Sequence, residues 1–413
     1  MSPPRFSVAR IACWGLAVWL GLGGASVYGQ ASDESPEELL RTGRYAECID
    51  AAESLLEDND RREPLWLCKL RAELALGRYE DAAETYEAGV RRVPFSIQLR
   101  WTGRDALRFT DQTDLAEAVD SEIAMLLQRA PWQFSDAANQ VIVGRWLLKQ
   151  GADPKAVLTK VYNELKKQEP RNVDVWLAIG DMALEKHDYQ LAGEAFQQAT
   201  KLDAEHPEAL LGVARAFAPS DDEKAEAALS AALKINPHLL DGLLMVADAH
   251  IDAERYDDAA ETLERIEEVN SHHPKAHAYR AVLAHLQNQP AKEKSERELA
   301  LQPWPKNPEV DHVIGQKLSQ KYRFAEGAAY QRRALEFAPD YQLAKGQLAQ
   351  DLLRLGEEEE GLKLAEEVHQ ADAYDVFAFN LVTLQENLAK FRTLSDDGLL
   401  VRMDAKEAEV YGP

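Results

Sequence analysis

The chain has 413 residues, with 47 lysines and arginines against 71 aspartates and glutamates and a formal net charge of −24. So acidic a balance argues against nucleic acid and anionic membrane surfaces as partners and favours basic ones, the alternative being a merely solvated acidic surface. Three cysteines are too few for a disulfide framework.

The stretch from Met1 to Ala31 holds Arg5 and Arg10, no acid, the apolar run Ile11 to Gly24, and small residues around Gly29 and Ala31. This is the pattern of an export signal cleaved near Ala31, and it predicts a periplasmic or secreted protein. The run is short for a span of about 20 residues, which leaves a retained anchor as the lesser alternative. Cys13 precedes the apolar core and is not placed for lipid attachment. Cys48 and Cys68 lie on predicted helices and read as buried small hydrophobes, with a bridge across adjacent helices as the alternative.

After an acidic start, Ser32 to Glu38, the turn Gly43-Arg44-Tyr45 leads into a helix with Cys48, Ala52 and Leu55 on one face. Gly77-Arg78-Tyr79 repeats that turn, between a helix carrying Trp66, Leu70 and Glu73 and one carrying Ala82, Tyr86 and Gly89. The step from Gly43 to Gly77 sets a period of about 34 residues. The clearest unit runs from Val173 to His206. Trp176, Ile179, Gly180 and Ala183 share one stripe of its first helix, and Ala192, Phe196 and Ala199 one stripe of its second. Gly180 and Ala192 supply small surfaces for close approach, and Trp176, Tyr189 and Phe196 are expected to fill the space around them. A single hairpin of this length cannot bury both faces, so copies must stack on either side.

Tyr189 to Tyr256 and Tyr256 to Phe324 each span two periods to within a residue. Leu240 to His273, Pro274 to Asn307, Pro308 to Tyr341 and Gln342 to Asp375 follow in that frame. Residues 97–170 and 207–237 are degenerate: Ile97 to Pro131 is too long for the period, Ala137 to Pro170 has its turn displaced to Gly151-Ala152-Asp153, and Pro207 to Pro237 loses residues at Ala218-Pro219-Ser220. A helix from Val376 to Ala389 is expected to cap the stack. Phe391 to Leu394 and Leu399 to Met403 then read as strands around the turn Ser395-Asp396-Asp397-Gly398, and Asp404 with Glu407 as the start of a last helix. Such a hairpin has open edges and needs something to pair with it.

With Trp176, Ile179-Gly180, Tyr189, Ala192, Phe196 and Ala199 at this period, the chain resembles the tetratricopeptide-repeat family over residues 36–390. The resemblance implies an all-α, right-handed superhelical solenoid of about ten stacked αα-hairpins over residues 32–390, and the strand and turn signals add a β-hairpin tail over 391–413, with the start of a further domain as the alternative. The tail is weakly similar to the start of a peptidase MA-like, zincin-related domain.

In the tetratricopeptide family the second stripe of each first helix lines a concave groove that binds peptides or helices. Here that stripe holds Asp174, Leu177, Asp181 and Glu185, and again Asp241, Leu244, Asp248 and Asp252. An acidic groove with apolar steps suits a basic or amphipathic segment of a partner protein. It lacks the lysine and asparagine pairs with which resembling chaperone cofactors clamp an acidic C-terminus.

The sequence carries no His-Glu-x-x-His helix, no phosphate-cradling loop and no Gly-x-Ser-x-Gly elbow, so no catalytic residue, cofactor or metal is assigned and the chain is read as a non-enzyme. His272, His273, His277 and His285 come nearest to a metal site, with His273 and His277 one turn apart, but no carboxylate or cysteine joins them within the cluster. The expected function is therefore an exported scaffold for protein–protein interaction. The alternative is the non-catalytic recruiting arm of a peptidase whose catalytic part lies elsewhere.

Overall fold

The computed structural model describes residues 34–396 and 399–411, so the expected export signal, its cleavage point and Cys13 fall outside the described residues. No helix among the described residues is long and apolar enough to cross a membrane. The chain divides into two units between Pro305 and Lys306.

In the first unit helical hairpins follow one another from Pro36–Arg41 and Tyr45–Asp58 to Pro274–Leu286 and Pro290–Leu301. Tyr45, Tyr79, Tyr189 and Tyr256 each open the second helix of a hairpin, so the phase read from tyrosine spacing is the phase of the helices. Most hairpin turns hold one residue in the left-handed region: Gly43 and Gly77 at no steric cost, and Asp111, His187, Glu254 and Asn288 at the same step of later hairpins. Side-chain caps start several helices, as where Asn172 accepts from the amide of Asp174 at 3.0 Å and Asp188 from that of Leu191 at 3.0 Å.

Stacking rests on rings seated over glycines. A Cβ on Gly180 would lie 2.5 Å from Phe196 Cζ, and one on Gly212 would lie 2.2 Å from Phe196 Cδ1. One ring is thus clasped between its own hairpin and the next, which fixes both contacts at once. Tyr86 meets Gly103 and Tyr162 meets Gly144 in the same way.

The irregular hairpins absorb their length changes without leaving the stack. Thr113–Arg129 has 17 residues where the preceding second helix has 14, and the first helix Pro207–Phe217 has 11 where its neighbours have 13. Between Pro154–Val157 and Asn163–Gln168 the helix passes through a π-turn, Leu158–Tyr162, which takes up extra residues and keeps Tyr162 buried against Gly144.

The first unit also coils far enough to touch itself. Asn236 Nδ2 donates to Tyr45 Oη at 3.3 Å, and Asn270 Nδ2 donates to Tyr79 Oη at 3.1 Å, each pair 191 residues apart. Beside the first pair, His238 Nδ1 lies 3.0 Å from the carbonyl of Gly43, and Tyr45 Oη donates to the carbonyl of His238 at 3.2 Å. One step further along, Phe109 meets Trp304 edge-on at 6.4 Å. Three successive hairpins near the start of the unit thereby close onto three successive hairpins near its end.

The second unit holds the hairpins Pro308–Gln320 with Phe324–Phe337 and Gln342–Leu355 with Glu358–Ala371, then the helix Val376–Leu388. At the step of the clasped Phe196 it carries Gln331, whose Oε1 accepts from His312 Nδ1 at 2.9 Å, so a polar pair replaces the ring-on-glycine contact. Strands Phe391–Asp396 and Leu399–Asp404 pair antiparallel, with Leu394 opposite Val401. The helix Ala405–Tyr411 packs on both strands, and Arg402 bridges to Glu358 at 2.8 Å, so the tail rests on its own helix and on the unit's last hairpin.

Candidate partner-binding face

The first helices of successive hairpins lie side by side in the first unit: Ala137–Lys149 touches Val173–Glu185, which touches Pro207–Phe217, and Leu240–Asp252 touches Pro274–Leu286. Their shared face carries the residues singled out above. Asp174 and Glu185 are exposed, and Leu177 is half-buried beside the Phe196 cluster. Asp181 and Asp241 keep about half of their side-chain surface, and Asp248 and Asp252 are half-buried.

Leu244 departs from the expectation of an apolar step in the groove, being only 6% exposed. Contact between neighbouring first helices covers apolar side chains that one helix alone would leave outside.

The face is not uniformly acidic. Arg145 Nη2 lies 2.9 Å from Asp181 Oδ2, and Arg215 Nη2 lies 2.9 Å from Asp241 Oδ2. Arginine and aspartate alternate from helix to helix, each carboxylate answered by the preceding hairpin. Tyr279 Oη donates to Asp248 at 2.8 Å. Asp181 and Asp248 are therefore each engaged by a neighbouring hairpin. Burial raises the Asp181 carboxyl above the ordinary carboxylate value, with Arg145 and Arg215 opposing it. Burial acts the same way on Asp241, but Arg215 and Lys275 overcome it and hold the group below that value.

Tyr189 does not fill its hairpin as expected: it is 40% exposed, with its hydroxyl 3.2 Å from His187 Nδ1. At the same step Tyr45 and Tyr79 are buried because the returning hairpins cover them, and burial pushes both phenols up to about 12. Trp176 half-covers the neighbouring core, with its Nε1 donating to the carbonyl of Pro170 at 3.4 Å and Lys166 over its ring at 4.9 Å.

The histidines separate. His277 is buried with Nδ1 2.9 Å from Glu296 and Nε2 3.0 Å from the carbonyl of Ser271, and His285 lies 2.9 Å from Glu293. Carboxylates join them from outside the cluster, on the helix Pro290–Leu301. These are histidine–carboxylate pairs. Among the described residues no group of three or more histidine, cysteine or acidic side chains converges on a metal position. Cys48 and Cys68 are free and buried, with Cys48 Sγ 3.7 Å from the carbonyl of Cys68.

Comparison with known proteins follows the same phase. Residues 216–284 match one tetratricopeptide-repeat family model, and residues 160–203 and 177–239 match another. Residues 30–94 are similar to a bacterial transcriptional activator domain. No curated protein matches the chain. Among solved structures it is similar to one described as the crystal structure of the APC/C hetero-tetramer Cut9-Hcn1, at 15% identity and a TM-score of 0.44 over 83% of this chain. The match spans 60% of the length of that structure's chain. Tetratricopeptide repeats occupy residues 160–284, the stretch that includes the hairpin with Gly180 and Phe196.

Proposed function

We propose that this chain is a scaffold for protein–protein interaction and that it holds a segment of a partner against the shared face of its first helices around residues 174–252. One observation carries the reading: Arg145, Asp181, Arg215 and Asp241 form a ladder of alternating charge along consecutive first helices, half-exposed and repeated at the hairpin step. Tetratricopeptide repeats generally bind proteins, and this face is where successive hairpins present one continuous surface. An amphipathic segment with charges of both signs suits the ladder better than a purely basic one, since a cation arriving at Asp181 or Asp241 must displace an arginine. The leader-like residues Arg5, Arg10 and Ile11 to Gly24 support a setting outside the cytoplasm for the encounter.

The test is affinity capture from the exported fraction with the purified chain, run beside the variant Asp174→Lys with Asp252→Lys. A protein retained by the wild type and lost with the variant supports the reading. Identical retention by both, or none by either, rejects it.

A further inference from the structure

We propose that the self-contact of the first unit is a reversible latch, whose opening exposes the inner face of the coil without unfolding the hairpins. The contact is a seam, and its geometry repeats. The triplets Gly43-Arg44-Tyr45 and Gly77-Arg78-Tyr79 stand one period apart, and so do the triplets Asn236-Pro237-His238 and Asn270-Ser271-His272 that meet them. Each tyrosine hydroxyl takes the amide of its asparagine at the same separation of 191 residues. Two hairpins therefore close in one register.

The chemistry of the seam differs from that of the stack. Hairpins are joined by buried rings and aliphatic side chains, and in a solenoid those nearest-neighbour contacts suffice for stability. The seam is joined by hydroxyl–amide and imidazole–carbonyl contacts, an ion pair of Arg41 with Asp203 at 3.9 Å, the edge-on pair Phe109–Trp304, and one aliphatic contact, Val269 against the cluster of Leu39, Tyr45 and Cys48. Asn236 and Asn270 are buried, but each also receives an amide from two residues on through its own Oδ1, so parting leaves each asparagine with only a donor that water can satisfy, while the rings of Tyr45 and Tyr79 regain water. The closure is also incomplete. A cleft of about 600 Å³ lies along the seam between Glu80, Glu84, Phe109, His272 and Pro303. A joint that is largely polar, cleft and unnecessary to the stack is the first to part on thermal motion.

That the seam opens stands independently of the proposed function; that opening admits a partner segment rests on it. Nitroxide labels on Arg78→Cys and Ser271→Cys, both exposed, report the seam by pulsed dipolar distance measurement in the full chain, since Cys48 and Cys68 are buried. The wild type should give a dominant short distance and a minor long one that grows on warming below the unfolding transition. Tyr45→Phe with Tyr79→Phe removes only the two hydroxyls and should raise the long-to-short ratio by roughly fivefold for each, with helical circular dichroism unchanged. A wild type showing only the long distance, or only the short one at every temperature, overturns the proposal. So does a double variant with an unchanged ratio, or one that gains the long distance only together with loss of helicity. None of these readings requires a partner, so failure of the scaffold reading and failure of the latch are told apart.

Discussion

Arg145 and Asp181 sit 2.9 Å apart on the first helices of neighbouring hairpins, and the next hairpin contributes Arg215 to the same carboxylate's surroundings. Side chains about a third and a half exposed place this pair among surface ion pairs, worth about 0.2–1 kcal/mol. Asp181→Lys sets three cations in a row and should lower stability toward urea by about 1 kcal/mol at low salt, with the loss fading at high salt. Adding Arg145→Asp should recover part of it. A double-mutant cycle with no coupling between the two positions would show that the ion pair does not stabilise the fold.

Phe196 is clasped by two glycines, and the two should be nearly equivalent. Gly180→Leu overpacks the contact inside the hairpin and should cost about 1–3 kcal/mol or more; Gly212→Ala overpacks the contact between hairpins and belongs in the lower part of that range. Phe196→Leu in either background should restore some stability by vacating the ring's space, although alone it leaves a void. Thermal unfolding of the single and paired variants checks this. A Gly212→Ala chain as stable as the wild type would mean that the hairpins are not locked through this ring.

These two sites show which parts of the molecule could be read from the chain alone. Gly180, Phe196 and the tyrosines that open second helices are packing residues at a fixed period, so spacing reveals them and the fold follows. Arg145 and Arg215 lie in the two irregular stretches, 97–170 and 207–237, where the phase is broken. Their carboxylate partners lie in well-formed repeats, and a stripe read only from the well-formed repeats looks wholly acidic. The Tyr45–Asn236 contact spans 191 residues, which is no whole number of periods, so repetition alone does not predict it; the paired triplets Gly-Arg-Tyr and Asn-x-His are the one signal that could. The burial of Tyr45 and exposure of Tyr189 at the same step follow from that contact and from nothing local.

His187 occupies the left-handed turn position that glycine holds in the first two hairpins, with φ at 57°. A non-glycine residue there is strained by about 1–2 kcal/mol, against which its 3.2 Å contact with the exposed Tyr189 hydroxyl sets little. His187→Gly should therefore stabilise the chain by about 0.5–1 kcal/mol, less than the full strain because glycine also loosens the unfolded chain. Chemical denaturation measures it. Destabilisation would mean that the imidazole–phenol contact matters more than the backbone.

His277 gives a pH dependence whose sign the geometry determines. Burial lowers its affinity for a proton, but Glu296 at 2.9 Å and the carbonyl of Ser271 at 3.0 Å are both acceptors, and only the doubly protonated ring can donate to each. The balance leaves the imidazole above its ordinary value. A group whose proton is held more tightly when folded stabilises the fold fully below its unfolded value of about 6.5, and that stability is lost as pH rises through the folded value. Titration of the His277 ring by NMR should therefore show a raised midpoint, and Glu296→Gln should lower it and flatten the fall in unfolding temperature over that window. His277→Ala should cost about 1–3 kcal/mol, since it leaves Glu296, which is mostly buried, without its imidazole. His206, where burial is outweighed by Glu208, adds a fall of the same sign, and His250, lowered by burial and Arg255, one of the opposite sign. The ring-resolved titration separates the three, and a His277 midpoint that Glu296→Gln leaves unmoved would remove the carboxylate as its cause.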